Sequence, residues 1–139
     1  MIEYLNAADS IAPDQLAGSF EGWPNPPSVE THLEILRGSS HVVVALEEDN
    51  VVGFVNAISD GILSAYIPLL EVRKDRQGRG IGTELMRQIL AQLSNFYMID
   101  LMCDPALQSF YERAGLAQSN GAALRNYANQ NGRPQERLG

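Results

Sequence analysis

Gln77-Gly78-Arg79-Gly80-Ile81-Gly82-Thr83 is the stretch on which the reading of this chain turns. Ahead of it, Ile62–Val72 has the apolar pattern of a strand. Behind it, Ile81, Leu85, Met86, Ile89, Leu90 and Leu93 fall on one stripe of a helix. A helix N-terminus leaves about four amide N–H groups unpaired. Together with the helix dipole these favour an anion by roughly 0.3–2 kcal/mol. Glycines let the backbone approach phosphate oxygens without a Cβ clash and permit positive φ. Arg73, Lys74, Arg76 and Arg79 place four of the ten Lys and Arg residues beside or inside the turn. The junction reads as a cradle for a cofactor's phosphates.

Spacing narrows the ligand. A P-loop needs G-x-x-x-x-G-K-[ST], and no lysine follows these glycines. A dinucleotide fingerprint needs G-x-G-x-x-G, whereas Gly78, Gly80 and Gly82 alternate. The preceding strand also reads as the end of an antiparallel meander rather than part of a βαβ unit. Val42–Leu46 and Val51–Ile58 are β-branched runs joined by Glu47–Asn50, and Asp60-Gly61 turns the chain into Ile62–Val72.

Pro68 interrupts what should be a central strand, because its missing N–H removes a ladder bond. A divergence of the neighbouring strand there would open a slot in which a ligand could bond to the backbone. Upstream, Pro13-Asp14 opens a short helical stretch with Leu16 and Phe20 on one face. The rigid loop Gly22–Pro27 holds Trp23, the only tryptophan. Ser28 is the expected N-cap of a helix bearing Val29, Leu33 and Leu36 and closed by Gly38. Downstream, Tyr97–Cys103 reads as a strand. Asp104-Pro105 reads as a cap and first turn, and the helix with Leu107, Phe110, Tyr111 and Ala114 stops at Gly115. Ala122–Tyr127 reads as a last strand, and 128–139 as a polar tail.

With 139 residues, 45% hydrophobic and 19% charged, the chain fits one globular domain, 1–127, ahead of that tail. A net charge of −7 argues against a nucleic-acid partner. The single cysteine, Cys103, precludes an internal disulfide, and no metal site is expected. Met1-Ile2-Glu3-Tyr4 lacks a basic stretch followed by an apolar run, and no segment approaches ~18 apolar residues. No membrane partner and a cytoplasmic location are the expectation.

The segment Gln77-x-x-Gly80-x-Gly82, after the strand Ile67–Val72, resembles the acetyl-CoA motif of the GNAT N-acetyltransferase superfamily. The block Asp104-Pro105-Ala106-Leu107-Gln108-Ser109-Phe110-Tyr111-Glu112-Arg113-Ala114-Gly115-Leu116 resembles the superfamily's second cofactor motif. The resemblance implies an α/β (α+β) fold. Its sheet would be mixed and mostly antiparallel, with helices on both faces and a splay between strands 4 and 5. It further implies acetyl-CoA as acyl donor, no metal, and transfer to a primary amine of a small molecule or protein. A non-catalytic acyl-CoA-binding regulatory module is the alternative, and the fold admits a homodimer. By the same resemblance, backbone groups near Leu70, Glu71 and Val72 would pair with pantetheine. Gln77, Gly78, Arg79, Gly80, Ile81, Gly82 and Thr83 would hold the pyrophosphate. Asp104 stands where many members carry a cofactor-contacting asparagine, but an ionised aspartate cannot donate, so capping is its expected role.

Tyr111 matches the superfamily's general acid. A phenol of pKa ≈ 10 can protonate a leaving thiolate of ≈ 8.5. Glu71, a carboxylate in an apolar strand, is the candidate base or acceptor anchor, with Asp100 and water as alternatives. Superfamily bases on this strand tend to lie nearer Tyr66 and Pro68. Strict alternation puts Glu71 on the other side, and a bulge near the splay would reverse that parity. Trp23, Phe20 and Tyr66 are expected near the acceptor. His32 and His41 read as surface or structural residues.

Overall fold

The computed structural model describes residues 1–133. The β-branched runs zip into one sheet of five strands: β1 (Glu3–Leu5), β2 (His41–Glu47), β3 (Asn50–Ser59), β4 (Ser64–Val72) and β5 (Met98–Leu101), in that spatial order. The first four run antiparallel and β5 lies parallel to β4. Glu48 and Asp49 connect β2 to β3 at φ 51° and 67°, both positive as a type I′ hairpin requires. At the next turn the Asp60 carboxylate accepts the amides of Ile62 and Leu63 at 2.9 Å and Ser64 at 3.2 Å.

Helix α1 (Val29–Gly38) begins where the Ser28 hydroxyl accepts the Thr31 amide at 3.1 Å. Helix α2 (Ile81–Gln92) follows the glycine turn, and α3 (Gln108–Arg113) follows a 3₁₀ turn, Pro105–Leu107. The strand alternation divides the core between the two faces of the sheet. Val43, Ala45, Val55 and Ala57 pack with Leu85, Met86 and Ile89 of α2. Val42, Val44 and Phe54 pack with Leu33 and Leu36 of α1 and with Leu16 and Phe20 ahead of it. Helices therefore cover both faces of a mixed, mostly antiparallel sheet.

Pro68 marks the opening of the sheet. The pairing of β4 with β5 runs from Ser64↔Met98 to Ile67↔Leu101 and stops there. On its other side β4 stays paired with β3, but the register slips between Asn56 and Ile58, opposite Ile67-Pro68. The amide of Leu69, displaced by this bulge, donates to Asn56 Oδ1 at 3.1 Å. Asn56 is buried, and its Nδ2 donates in turn to Ser39 at 3.0 Å. The bulge also flips the facing: Ala65 and Ile67 join the α2-side core, and beyond it so do Leu70 and Val72. Glu71 thereby comes to the α1 face, the face of Tyr66, contrary to strict alternation.

Several expectations are corrected. The helical stretch from Pro13 is only a 3₁₀ turn ending at Leu16, and Phe20 lies beyond it at φ +60°. The strand expected at Tyr97–Cys103 spans Met98–Leu101. Ala122–Tyr127 forms no strand, and Tyr127–Asn129 is a 3₁₀ turn. Glu3–Leu5, to which the pattern gave no element, is the edge strand that makes Ser64–Val72 the fourth. The glycine turn does open a crossover between parallel strands, so its spacing, not its topology, separates it from a dinucleotide site. The end of the expected tail, 134–139, lies outside the described residues.

Candidate functional site

The turn after β4 is built from left-handed glycines. Gly78 and Gly80 both adopt φ +81°, and Gly80 is the N-cap residue of α2. The first helical bond runs from the Glu84 amide to the Gly80 carbonyl at 3.1 Å. The amides of Ile81, Gly82 and Thr83 thus have no acceptor within the helix. Gln77 closes the turn, its Nε2 donating to the Val72 carbonyl at 3.1 Å. Gly82 sits at an ordinary helical position against Phe110 and Val72.

The splayed strands enclose a cleft of about 780 Å³ that leads away from this turn. One wall is β4 from Ile67 to Val72, and the other is Met102, Cys103 and Asp104 beyond the end of β5. Leu107 and Tyr111 line it from the third-helix region, and Glu21, Gly22 and Trp23 from the loop ahead of α1. Among the described residues Pro68–Val72 have no strand partner on the cleft side, so the backbone there can bond to a ligand. A second cavity, of about 530 Å³, adjoins at Glu21 and Lys74.

Glu71 is held by the loop it faces. Its Oε1 accepts the Phe20 amide at 2.7 Å, and the Glu21 amide contributes as well. Burial pushes its carboxyl above the usual range, the two amides pull it back, and the Glu21 charge raises it again. Phe20, buried, packs against Trp23 in a tilted arrangement with ring centroids 4.7 Å apart, and the indole lines the cleft. Tyr66 lies outside the cleft lining, and so does Asp100.

Tyr111 is 7% exposed and packs in the α2-side core, yet it lines the cleft. No protein group among the described residues hydrogen-bonds its hydroxyl. Burial raises its pKa above 10, and neighbouring Cys103 raises it further. Asp104 caps the 3₁₀ turn through its carbonyl, which accepts the Leu107 amide at 2.9 Å. Its side chain makes no capping bond, which corrects the expected role and leaves the carboxylate on the cleft wall.

The basic cluster is less free than its sequence suggests. Arg76 and Arg79 both reach Glu47 at 3.3 Å, while Arg73 and Arg76 reach Asp75 at 3.0 and 2.9 Å. Such half-exposed pairs are weak and can yield to a phosphate. Lys74 alone of the four has no acidic partner among the described residues. Arg125, which lines the cleft from the irregular segment after α3, carried no sequence signal. His41 Nδ1 lies 3.2 Å from Gln92 Oε1, and His32 is buried between Phe20 and Phe54.

Relatives share this architecture. The profile of the acetyltransferase (GNAT) domain matches residues 11–127. The uncharacterized N-acetyltransferase ycf52 of Porphyra purpurea is 30% identical over 109 residues, 73% of this chain and 61% of that protein. The protein of the same name from Gracilaria tenuistipitata var. liui is 34% identical over 99 residues, 68% of this chain and 54% of that protein. The chain thus spans less than two thirds of the length of these curated relatives. A candidate acetyltransferase from Deinococcus radiodurans R1, solved by crystallography, is 49% identical with a TM-score of 0.92, covering 96% of this chain and 94% of that one. A GNAT-family acetyltransferase from Streptococcus pneumoniae TIGR4 is 26% identical with a TM-score of 0.74, covering 91% of this chain and 98% of that one.

Proposed function

This chain belongs to the GNAT acetyltransferase family, and from that premise we propose that it is an N-acetyltransferase moving the acetyl group of acetyl-CoA directly to a primary amine. The observation that carries the reading is the continuity of three features. The β4 backbone from Pro68 to Val72 and Tyr111 line one cleft, whose lining reaches Gln77, and the chain runs from Gln77 directly into the amides at the start of α2 that have no acceptor within the helix.

In this reading the backbone at Leu70 and Val72 pairs with the pantetheine arm. Gln77 holds the turn in shape. The amides of Gly78, Arg79, Gly80, Ile81, Gly82 and Thr83 take the pyrophosphate, and the Arg79 guanidinium exchanges Glu47 for phosphate. Asp104, which when ionised can only accept, takes an N–H of the bound cofactor from the opposite wall.

Acetyl-CoA supplies an activated thioester, and the chain's own residues handle the protons. The amine nitrogen bonds to the acetyl carbon as the carbon–sulfur bond breaks. Tyr111, kept protonated by burial, gives its proton to the leaving sulfur, and its phenolate then takes the second proton from the acylated nitrogen. Glu71, raised by burial, draws the ammonium into the cleft and accepts its proton.

Calorimetric titration with CoA and acetyl-CoA tests the first half, and release of free thiol on adding amines tests the second. Micromolar binding followed by amine-dependent thiol release is the expected result. No heat at high micromolar ligand would overturn the cofactor assignment. Binding without thiol release across a broad amine library would overturn the catalytic one.

A further inference from the structure

The charges around the cleft are unevenly satisfied. Around the glycine turn Arg73, Arg76 and Arg79 are matched by Asp75 and Glu47. Elsewhere Arg87 pairs with Glu84 at 2.6 Å and Arg133 with Glu34 at 2.7 Å. Arg125 faces the cleft with no hydrogen-bond or ion-pair partner among the described residues. It arrives on the chain segment after α3, which lies against the end of β5: a Cβ on Gly121 would sit 3.6 Å from Met102 Cε.

Position separates Arg125 from the cofactor's phosphates. Lys74 also borders the cleft, but it follows β4 directly into the glycine turn, at the pyrophosphate end. Arg125 shares the far wall with Met102 and Cys103. Across from that wall stand Glu71 and Glu21, carboxylates suited to an ammonium group. The β4 side of the cleft thus offers Glu71 and Glu21, while the other wall carries, besides the Asp104 carboxylate, the unengaged Arg125 guanidinium, whose planar fork fits a carboxylate or phosphate in bidentate fashion.

We propose that Arg125 selects the acceptor: the substrate is a primary amine that also carries an anionic group, a carboxylate or a phosphate, which this guanidinium binds. The inference rests on the amine-acetyltransferase reading above and narrows its substrate class. Glu71 and Arg125 together orient the acceptor, with its amine toward the carboxylate and its anion toward the guanidinium.

Matched acceptors test it with the full chain: leucine against leucinamide, and propylamine against 3-aminopropanoate and O-phosphoethanolamine. Acetyl-CoA affinity is measured alongside. Wild-type kcat/KM is expected to favour the anionic member of a set by about tenfold or more, the scale of one charge-assisted contact. The better of the carboxylate and phosphate arms identifies the anion. In Arg125→Ala that ratio is expected to fall toward one, with Arg125→Lys recovering part of it and the Kd for acetyl-CoA staying near wild type. Equal use of neutral and anionic amines, or an unchanged ratio in Arg125→Ala, would overturn the inference while leaving the acetyltransferase reading intact. A loss explained by weaker acetyl-CoA binding would overturn it too, by assigning Arg125 to the cofactor. Acetyl-CoA binding with no amine acetylated would count against both readings.

Discussion

The backbone N–H of Phe20 donates to Oε1 of Glu71 across 2.7 Å, joining two residues 51 positions apart. This bond holds Phe20 at φ +60°, a conformation that costs a bulky residue on the order of 1–3 kcal/mol. A hydrogen bond to a charged acceptor, worth about 1.5–3 kcal/mol, offsets strain of that size. Trp23 packs against Phe20, so the carboxylate proposed as base also fixes the loop that walls the acceptor side.

The two tasks of Glu71 can be separated. Glu71→Gln keeps an oxygen for the Phe20 amide but cannot take a proton. We expect kcat to fall by roughly 10², with the fluorescence of Trp23, the only tryptophan, unchanged. Glu71→Ala removes both functions, so the emission should shift and the acceptor KM should rise as well. Unchanged kcat in Glu71→Gln would leave Glu71 as a loop anchor alone.

Tyr111→Phe removes a hydroxyl that no protein group among the described residues engages, and it keeps the ring in the α2-side core. The fold and acetyl-CoA affinity should survive, while kcat drops by roughly 10² or more. Because burial raises the phenol's pKa, the acid stays protonated beyond pH 10, and loss of activity on that alkaline limb should disappear in the variant. Full activity with the same pH profile would remove Tyr111 from the mechanism.

The glycines of the turn are not equivalent. Gly80 has open space around its Cβ position but φ +81°, so Gly80→Ala should cost about 1–2 kcal/mol and tilt the amides. Gly82 has ordinary helical backbone, and an added Cβ would lie 3.5 Å from Phe110 Cζ and 3.6 Å from Val72 Cγ2, normal contacts. Calorimetry should therefore find CoA binding weakened about tenfold or more in Gly80→Ala, a change of at least 1.4 kcal/mol. Gly82→Ala should bind nearly as the parent does. The reverse order would mean that the amide geometry is not what holds the phosphates.

Local chemistry made much of this readable in the sequence. Ser28 and Gly38 bounded α1, the glycines marked the turn, and Pro68 announced the break between strands, because each acts within a few residues. Contacts across the sheet left no such trace. Asn56 satisfying the bulge, the Phe20–Glu71 bond and the approach of Arg125 all depend on distant segments meeting. Gly53 is of this kind: a Cβ there would meet the Glu71 carbonyl of β4 and Leu85 Cδ1 of α2, each at 3.1 Å, a closeness set by the pairing of β3 with β4 and the packing of α2. Ala122–Tyr127 shows the converse failure. Its apolar residues Leu124 and Tyr127 are 76% and 70% exposed, for a strand needs a neighbouring edge and this segment pairs with none among the described residues.

His32 should make the fold sensitive to acid. Its ring lies 4.7 Å from Phe20 and 4.4 Å from Phe54, is 1% exposed, and has no partner for either nitrogen among the described residues. Burial pushes its pKa down from 6.5 to about 4. Between those values the unfolded chain binds the proton and the folded chain does not, so stability falls as pH drops through that window. The full loss is on the order of 3 kcal/mol, and above pH 6.5 the group adds no pH dependence. His32→Leu breaks no hydrogen bond, so it should be neutral or stabilising at pH 7. Urea midpoints at pH 7 and pH 4.5 should separate further in the parent than in the variant. Glu71 and the other carboxylates are common to both proteins, so the comparison isolates the imidazole. Equal separations would assign the acid sensitivity to other groups.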